Sequence, residues 1–302
     1  MSLRLSLLDM ALRLTVKRWA ERAADPVQAR RDMERSAGWT LRRAPGTITR
    51  WGHLGARPTL SIRTAAGSGP GRVLYFHGGA HVSGSPLTHL SMLSWLARLS
   101  RTEILAVDQR LAPEHPYPAA LEDAEAAWDD LIASGLRPEQ IVLAGDSAGG
   151  GLALALLSRL CVRGTPPAGL VGFAPWTDLT GASPSMRDNA ESDAMLVAHR
   201  LPEVAALYLG DTPATDPGAS PLFATFPGCP PVLLQCSEIE ILRDDSLRMA
   251  ERLQGFGAEV TLQCWEATPH VWHLFVGWVP EARAALLNAA EATRAMLSAS
   301  RK

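Results

Sequence analysis

Lysine is nearly absent from the chain. Only Lys17 and Lys302 occur, and the other 27 basic residues are arginines. A phosphate loop ending in Gly-Lys-Ser/Thr is therefore missing, and a Schiff-base lysine would have to sit in a terminal segment. Kinase-like and pyridoxal-type chemistry are set aside on that ground. An excess of one charge sign is lacking too: 29 basic against 31 acidic residues leave a net charge of −2. No basic field exists to attract nucleic acid or anionic lipid. Cysteine is sparse. Cys161, Cys229, Cys236 and Cys264 stand far apart in the sequence, with no Cys-x-x-Cys pair to hold a metal, and read as free cytosolic thiols. Long hydrophobic runs are missing at the N-terminus, where Arg4, Asp9, Arg13, Lys17 and Arg18 interrupt the stretch from Met1 to Ala24. That excludes a signal or membrane-spanning segment there, so the expected location is the cytoplasm, with no stable membrane insertion.

What is present is an ordinary globular composition, 302 residues with 47% hydrophobic. A chain of that length buries roughly 75% of its unfolded surface, in one large core or two smaller ones. Up to about Gly46 the pattern is helical and amphipathic, with Leu5, Leu8, Leu12 and Val16 at spacings of three or four and Pro26 interrupting. Residues 1–46 read as an added cap on a main domain spanning 47–302. Two short alternating runs, Thr47 to Trp51 and Thr59 to Ile62, predict a hairpin. Then the rhythm changes to continuous apolar runs at 73–76, 104–107, 141–144, 170–173, 232–234 and 260–262, separated by helical segments near 88–99, 118–134, 148–162 and 244–255. Buried strands alternating with helices predict an α/β protein with a parallel sheet covered on both faces. The interval from Trp176 to Pro231 is too long for a plain connection and carries its own helical pattern at 196–209. It reads as an insertion over the sheet, about 181–214. Pro280 to Ser298 predicts a closing helix.

Chemistry concentrates in two glycine motifs. Gly145-Asp146-Ser147-Ala148-Gly149 follows the strand at 141–144 and opens a helix through Leu152, Leu154 and Leu156. In that context Gly-x-Ser-x-Gly makes a strand-to-helix turn that lifts the Ser147 hydroxyl above the sheet and turns the Ala148 amide toward developing negative charge. A glycine-rich turn with a capping serine is the ordinary alternative. His77-Gly78-Gly79-Ala80 follows the strand at 73–76, and its glycines let amides face a cleft as further oxyanion donors, Gly78 and Gly79 among them. His77, His81 and His89 lack Cys, Asp or Glu at ligand spacing, which argues against a metal. A nucleophilic serine needs an acid and a histidine, in that order along such a chain. After the run at 232–234, Glu238, Glu240, Asp244 and Asp245 compete; the two aspartates precede a helical pattern and are explained by an N-cap or first-turn role, leaving Glu238 and Glu240. Beyond the last strand stand His270, nearer to it, and His273 in reserve.

These segments resemble the hormone-sensitive-lipase group of α/β-hydrolases, especially its bacterial esterases, over about residues 70–280. The resemblance rests on His77-Gly78-Gly79-Ala80, on Asp108-Gln109-Arg110-Leu111-Ala112-Pro113-Glu114-His115-Pro116 with Pro118-Ala119-Ala120, and on Gly145-Asp146-Ser147-Ala148-Gly149-Gly150. It implies the α/β-hydrolase fold, a mostly parallel eight-stranded sheet flanked by helices, with a helical cap formed from the N-terminal segment and the insertion. It also implies that the acid is Glu240 and the base His270. Three departures stand out: Ala80 replaces the third glycine and His81 the aromatic that often follows; Glu240 replaces an aspartate; Gln109 replaces a tyrosine. His81 and Val271 are expected to line the substrate pocket. The function so implied is a serine carboxylesterase that hydrolyses small to medium-chain esters through an acyl-enzyme, with Ser147, His270 and Glu240 as triad and Gly78, Gly79 and Ala148 as oxyanion hole. It needs neither metal nor organic cofactor, takes a small-molecule ester as partner, and by analogy with relatives allows a homodimer. The rivals are an amide or lactone hydrolase on the same scaffold, or a ligand-binding relative without activity.

Overall fold

A computed structural model describes residues 2–23, 25–40 and 42–299. Met1, Ala24, Leu41 and Ser300 to Lys302, which fall in the expected cap and the C-terminal tail, lie outside the described residues. The chain begins with α1 (Leu3–Leu12), a π-helical turn (Arg13–Lys17), α2 (Arg18–Arg22) and α3 (Pro26–Thr40). The hairpin follows as β1 (Thr47–Leu54) and β2 (Arg57–Thr64), and then β3 (Arg72–Phe76), α4 (Leu90–Ser100), β4 (Glu103–Val107), α5 (Ala119–Ala133), β5 (Ile141–Asp146), α6 (Ser147–Arg163) and β6 (Gly169–Phe173). The insertion contains α7 (Ser185–Asp188) and α8 (Leu201–Leu209); β7 (Val232–Ser237), α9 (Arg243–Gly255), β8 (Val260–Trp265) and α10 (Pro280–Ala299) complete the chain. The eight strands form one sheet in the order β1-β2-β4-β3-β5-β6-β7-β8. β2 runs antiparallel to β1 and β4, and every other pair is parallel.

Strands that are apolar at every position bury both faces, and the period of two decides which layer each side chain joins. In β3, Leu74 and Phe76 join the apolar layer that also holds Trp128 of α5, Leu152 of α6 and Leu253 of α9, whereas Val73 and Tyr75 join the layer on the other face with Leu93 of α4 and Leu286 of α10. α10 turns Ala282, Ala285, Leu286, Ala289 and Ala290 toward the sheet at helical spacing. Its Ala-rich stripe lets the helix lie close to the strands. Among the described residues no helix is long and apolar enough to cross a membrane.

The N-terminal segment and the insertion, expected to form a cap together, are joined by polar contacts. The Arg13 guanidinium donates to the carbonyls of Glu191 (2.7 Å) and Ser192, and Lys17 Nζ donates to those of Ala190 and Asp193, both at 2.8 Å. Two of the three donors of the Lys17 ammonium are thus taken by insertion carbonyls. The insertion is less helical than its pattern suggested: over 196–209 the α-helix covers only 201–209, preceded by a 3₁₀ turn at 198–200, with Pro202 in its first turn.

Candidate active site

The turn between β5 and α6 holds Ser147 at φ 51°, a left-handed conformation that a residue with a Cβ adopts only at a cost of about 1–3 kcal/mol. It persists because the surroundings fix it. A Cβ at Gly149 would collide with the carbonyls of Phe76 and His77, so α6 approaches β3 at a distance that only glycine permits. Ser147 keeps 8% of its surface exposed, and its carbonyl accepts from Trp176 N–H at 2.9 Å. Ala148 follows in the first turn of α6, where amide donors have no partner within the helix.

Two loops at the C-terminal edge of the sheet bring Glu240 and His270 to this serine. His270 Nε2 lies 3.0 Å from Ser147 Oγ, and its Nδ1 bonds Glu240 Oε2. Glu240, fully buried, also accepts from the Ser237 amide at 2.8 Å. Burial alone would lower the His270 pKa, but the Glu240 carboxylate outweighs it and the pKa is raised. For Glu240 burial prevails over the pull of His270, so its pKa is raised as well. The alternatives are disposed of by position. Glu238 is exposed at the surface of the loop. His273 packs edge-on to Phe173, bonds Gln235 Oε1 at 2.9 Å, and is held neutral by burial with a pKa of about 3.

The His77 to Ala80 segment lies across the elbow from the base. Here one expectation needs correcting: the Gly78 amide donates to Asp146 Oδ1 at 2.9 Å and so is occupied. Gly79 takes φ 120°, where a side chain would be strained, and Ala80 takes φ 54°. Among the described residues the amides of these two have no hydrogen-bond partner. Asp146 escaped the sequence reading although it stands inside the serine motif. Its carboxylate is buried and also accepts from Tyr75 Oη and contacts His89 Nε2 at 3.1 Å. Burial would raise its pKa, yet His89 and the donors hold it at about 2. The effect of Gln109 is also visible now: its Nε2 donates to the His77 carbonyl at 2.9 Å, bracing the same segment. We expect Asp146→Ala to lower kcat about a hundredfold, because displacing a catalytic loop by an ångström costs that much, with little change in KM and a lower melting temperature. Near-normal kcat in the folded variant, measured on p-nitrophenyl acetate, would show that Asp146 does not position this segment.

The acid loop is clamped by side chains from the insertion, again unanticipated. Asn189 Nδ2 donates to the carbonyls of Glu240 (2.8 Å) and Glu238 (3.0 Å), and Asp193 Oδ2 accepts from the Ile241 amide at 2.9 Å. Asp244 and Asp245 do occupy the first turn of α9 but have a further task. Asp245 accepts from the amides of Thr177 and Asp178 and from Ser183 Oγ, and Asp244 accepts from the Ser185 amide. A one-dimensional search for caps could not reveal partners some sixty positions away.

A cleft of about 380 Å³ opens between the N-terminal segment and the insertion, lined by Trp19, Ala80, Val82, Leu196, Val197 and Leu207 among others. It borders the oxyanion segment at Ala80. His81 and Val271, expected to line the substrate pocket, are both almost fully buried. His81 is 6% exposed, with its ring stacked on Tyr208 at 3.7 Å, and burial pushes its pKa down to about 3. Val271, at φ 45°, is 2% exposed and packs into the core.

A mostly parallel sheet with a serine on a sharp strand-to-helix turn, met by a histidine and a carboxylate from later loops, is the architecture of the α/β hydrolases. The comparisons agree. A family model described as the alpha/beta hydrolase fold matches residues 73–274. The chain is 36% identical over 283 residues to an acetyl-hydrolase of Streptomyces hygroscopicus, covering 92% of this chain and 93% of that one. It is 38% identical over 223 residues to an esterase of Acinetobacter venetianus, covering 72% and 73%. A crystal structure of an esterase from the bacterial hormone-sensitive lipase family superposes with a TM-score of 0.93 at 36% identity, covering 98% of this chain and 99% of that one. The chain belongs to the hormone-sensitive-lipase-like family of bacterial esterases and is a carboxylic ester hydrolase.

Proposed function

We propose that hydrolysis proceeds through an acyl-enzyme on Ser147. His270 Nε2 takes the hydroxyl proton as Oγ attacks the ester carbonyl and returns it to the leaving alcohol; water then repeats the sequence on the acyl group. Glu240 fixes the imidazole tautomer and stabilises the imidazolium. The developing oxyanion is received by the amides of Gly79, Ala80 and Ala148, since that of Gly78 is engaged by Asp146. The observation that carries this reading is the single imidazole spanning Ser147 Oγ and the buried Glu240.

The substrate is a small to medium-chain ester. A cleft of about 380 Å³ fits a compact apolar group, and the similarity to an acetyl-hydrolase supports a short acyl chain. A panel of p-nitrophenyl esters should therefore show kcat/KM highest between roughly two and eight acyl carbons, because a cleft of that volume leaves little room for longer chains. Rates rising steadily to long-chain triglycerides, with activation at an oil–water interface, would refute the assignment. The same panel extended to lactones and anilides tests the leaving group, and a preference for either would replace the ester reading of the natural substrate.

A further inference from the structure

Four cysteines that are scattered in sequence meet as two pairs in space, all of them free. Cys161 and Cys229 lie close enough for Cys229 to lower the pKa of the Cys161 thiol. Cys236 and Cys264 are register partners on the neighbouring strands β7 and β8, with their sulfurs 3.1 Å apart. We propose that Cys236 and Cys264 form a site of reversible oxidation, closing into an intramolecular disulfide that ties β7 to β8 directly below the loops bearing Glu240 and His270.

Three observations carry this. First, neighbouring strands lie about 4.8 Å apart, inside the Cα separations of roughly 4.4–6.8 Å that disulfides span, so the bond needs the sulfurs to approach by only about 1 Å and no strand to move. Second, the two thiols differ in access: Cys236 is fully buried, whereas Cys264 lies on β8 at the edge of the sheet and is partly exposed. An oxidant from solution reaches Cys264 first and leaves Cys236 as the resolving partner. Third, the hydrogen bond from Cys236 lowers the pKa of the Cys264 thiol, which favours the reactive thiolate at the accessible member. A pair serving only as apolar filling would not need sulfurs facing each other at the sheet edge.

With a peroxide as oxidant the step balances. The Cys264 thiolate attacks one peroxide oxygen and becomes a sulfenic acid, releasing hydroxide that takes up the proton lost by the thiol. Cys236 sulfur then attacks the sulfenic sulfur, the S–S bond forms, and the hydroxyl leaves as water with the Cys236 proton. Two thiols are oxidised and one peroxide is reduced to two waters. A small thiol reductant reverses the reaction by exchange. The linkage sits one residue before Ser237, whose amide and hydroxyl hold Glu240 and the Thr268 carbonyl, so it joins the roots of the acid and histidine loops.

The test uses the full chain carrying Cys161→Ser and Cys229→Ser, treated with equimolar hydrogen peroxide. The expected product has lost about 2 Da, has no alkylatable thiol after denaturation, and yields a linked peptide pair containing Cys236 and Cys264, all reversed by dithiothreitol. Its melting temperature rises by several degrees, because the cross-link restricts the unfolded chain. Adding Cys264→Ser removes every one of these changes. If the serine variant does not fold, the wild-type protein oxidised and digested in the same way gives the answer. Two thiols that stay alkylatable, a gain of about 16 or 32 Da with no loss, a link confined to Cys161 and Cys229, or a disulfide that lowers the melting temperature would each overturn the proposal.

Discussion

Replacing Ser147 by alanine is expected to lower kcat by about a millionfold, with the circular dichroism spectrum unchanged. Removing a nucleophile leaves only binding and oxyanion stabilisation to accelerate the reaction, and the members of such a unit are grossly non-additive. His270→Ala should therefore cost nearly as much, and the double variant little more than either. The decisive control is His273→Ala. That histidine bonds Gln235 and packs on Phe173, away from the serine, so its loss should lower the melting temperature while the folded fraction keeps kcat within a few-fold. The opposite pattern, with His273→Ala inactive and His270→Ala active, would overturn the base assignment. A serine-directed organophosphate should label Ser147 alone, and labelling elsewhere in an active preparation would contradict the nucleophile.

Glu240→Gln should lower kcat up to about ten-thousandfold, the loss known for the equivalent change in another triad, where the amide favours the wrong imidazole tautomer. A pH signature accompanies it. Glu240 raises the His270 pKa above its ordinary value. Since the base must be neutral, kcat/KM falls as pH drops through that raised pKa. Without the carboxylate the acidic limb should move to lower pH, even as the plateau collapses. Glu238→Gln, at an exposed position, should leave both the plateau and the limb in place. Asp244→Asn keeps an acceptor for the Ser185 amide but weakens the pairing with Arg243, so we expect about 1 kcal/mol of stability to be lost and turnover retained. Glu240→Asp shortens the reach by one methylene and should retain partial activity. Normal turnover in Glu240→Gln, with failure of Glu238→Gln, would move the acid to the other glutamate.

The layers of the fold were legible because their signal is local. Continuous apolar runs separated by helical periods announce a covered parallel sheet, and β3 to β8 all lie on the runs that were read. The strand ends were not legible. β5, β7 and β8 each continue past the apolar run through residues such as Gly145-Asp146, Gln235 to Ser237 and Gln263, where polar side chains replace the hydrophobic signal. Those ends carry the chemistry. Motif spacing singled out Ser147 but left Glu238 beside Glu240 and His273 beside His270, and only the family resemblance chose between them; it also assigned the Gly78 amide to the substrate because that amide's real partner, Asp146, lies 68 positions away. His81 shows a related limit: its ring stacks on Tyr208, which comes from the insertion and is not adjacent to it in the sequence.

The clamp on the acid loop has a consequence for engineering. Asn189 and Asp193 belong to the segment that borders the cleft, yet their side chains hold the backbone around Glu240. On the proposed mechanism, changes in this segment are expected to alter selectivity and turnover together. Exchanging the insertion for one from a relative, as a way of admitting a bulkier ester, also replaces the fixings of the catalytic acid. A chimera that keeps an amide donor and a carboxylate acceptor facing the 238–241 turn is expected to retain turnover, and one lacking both to lose it.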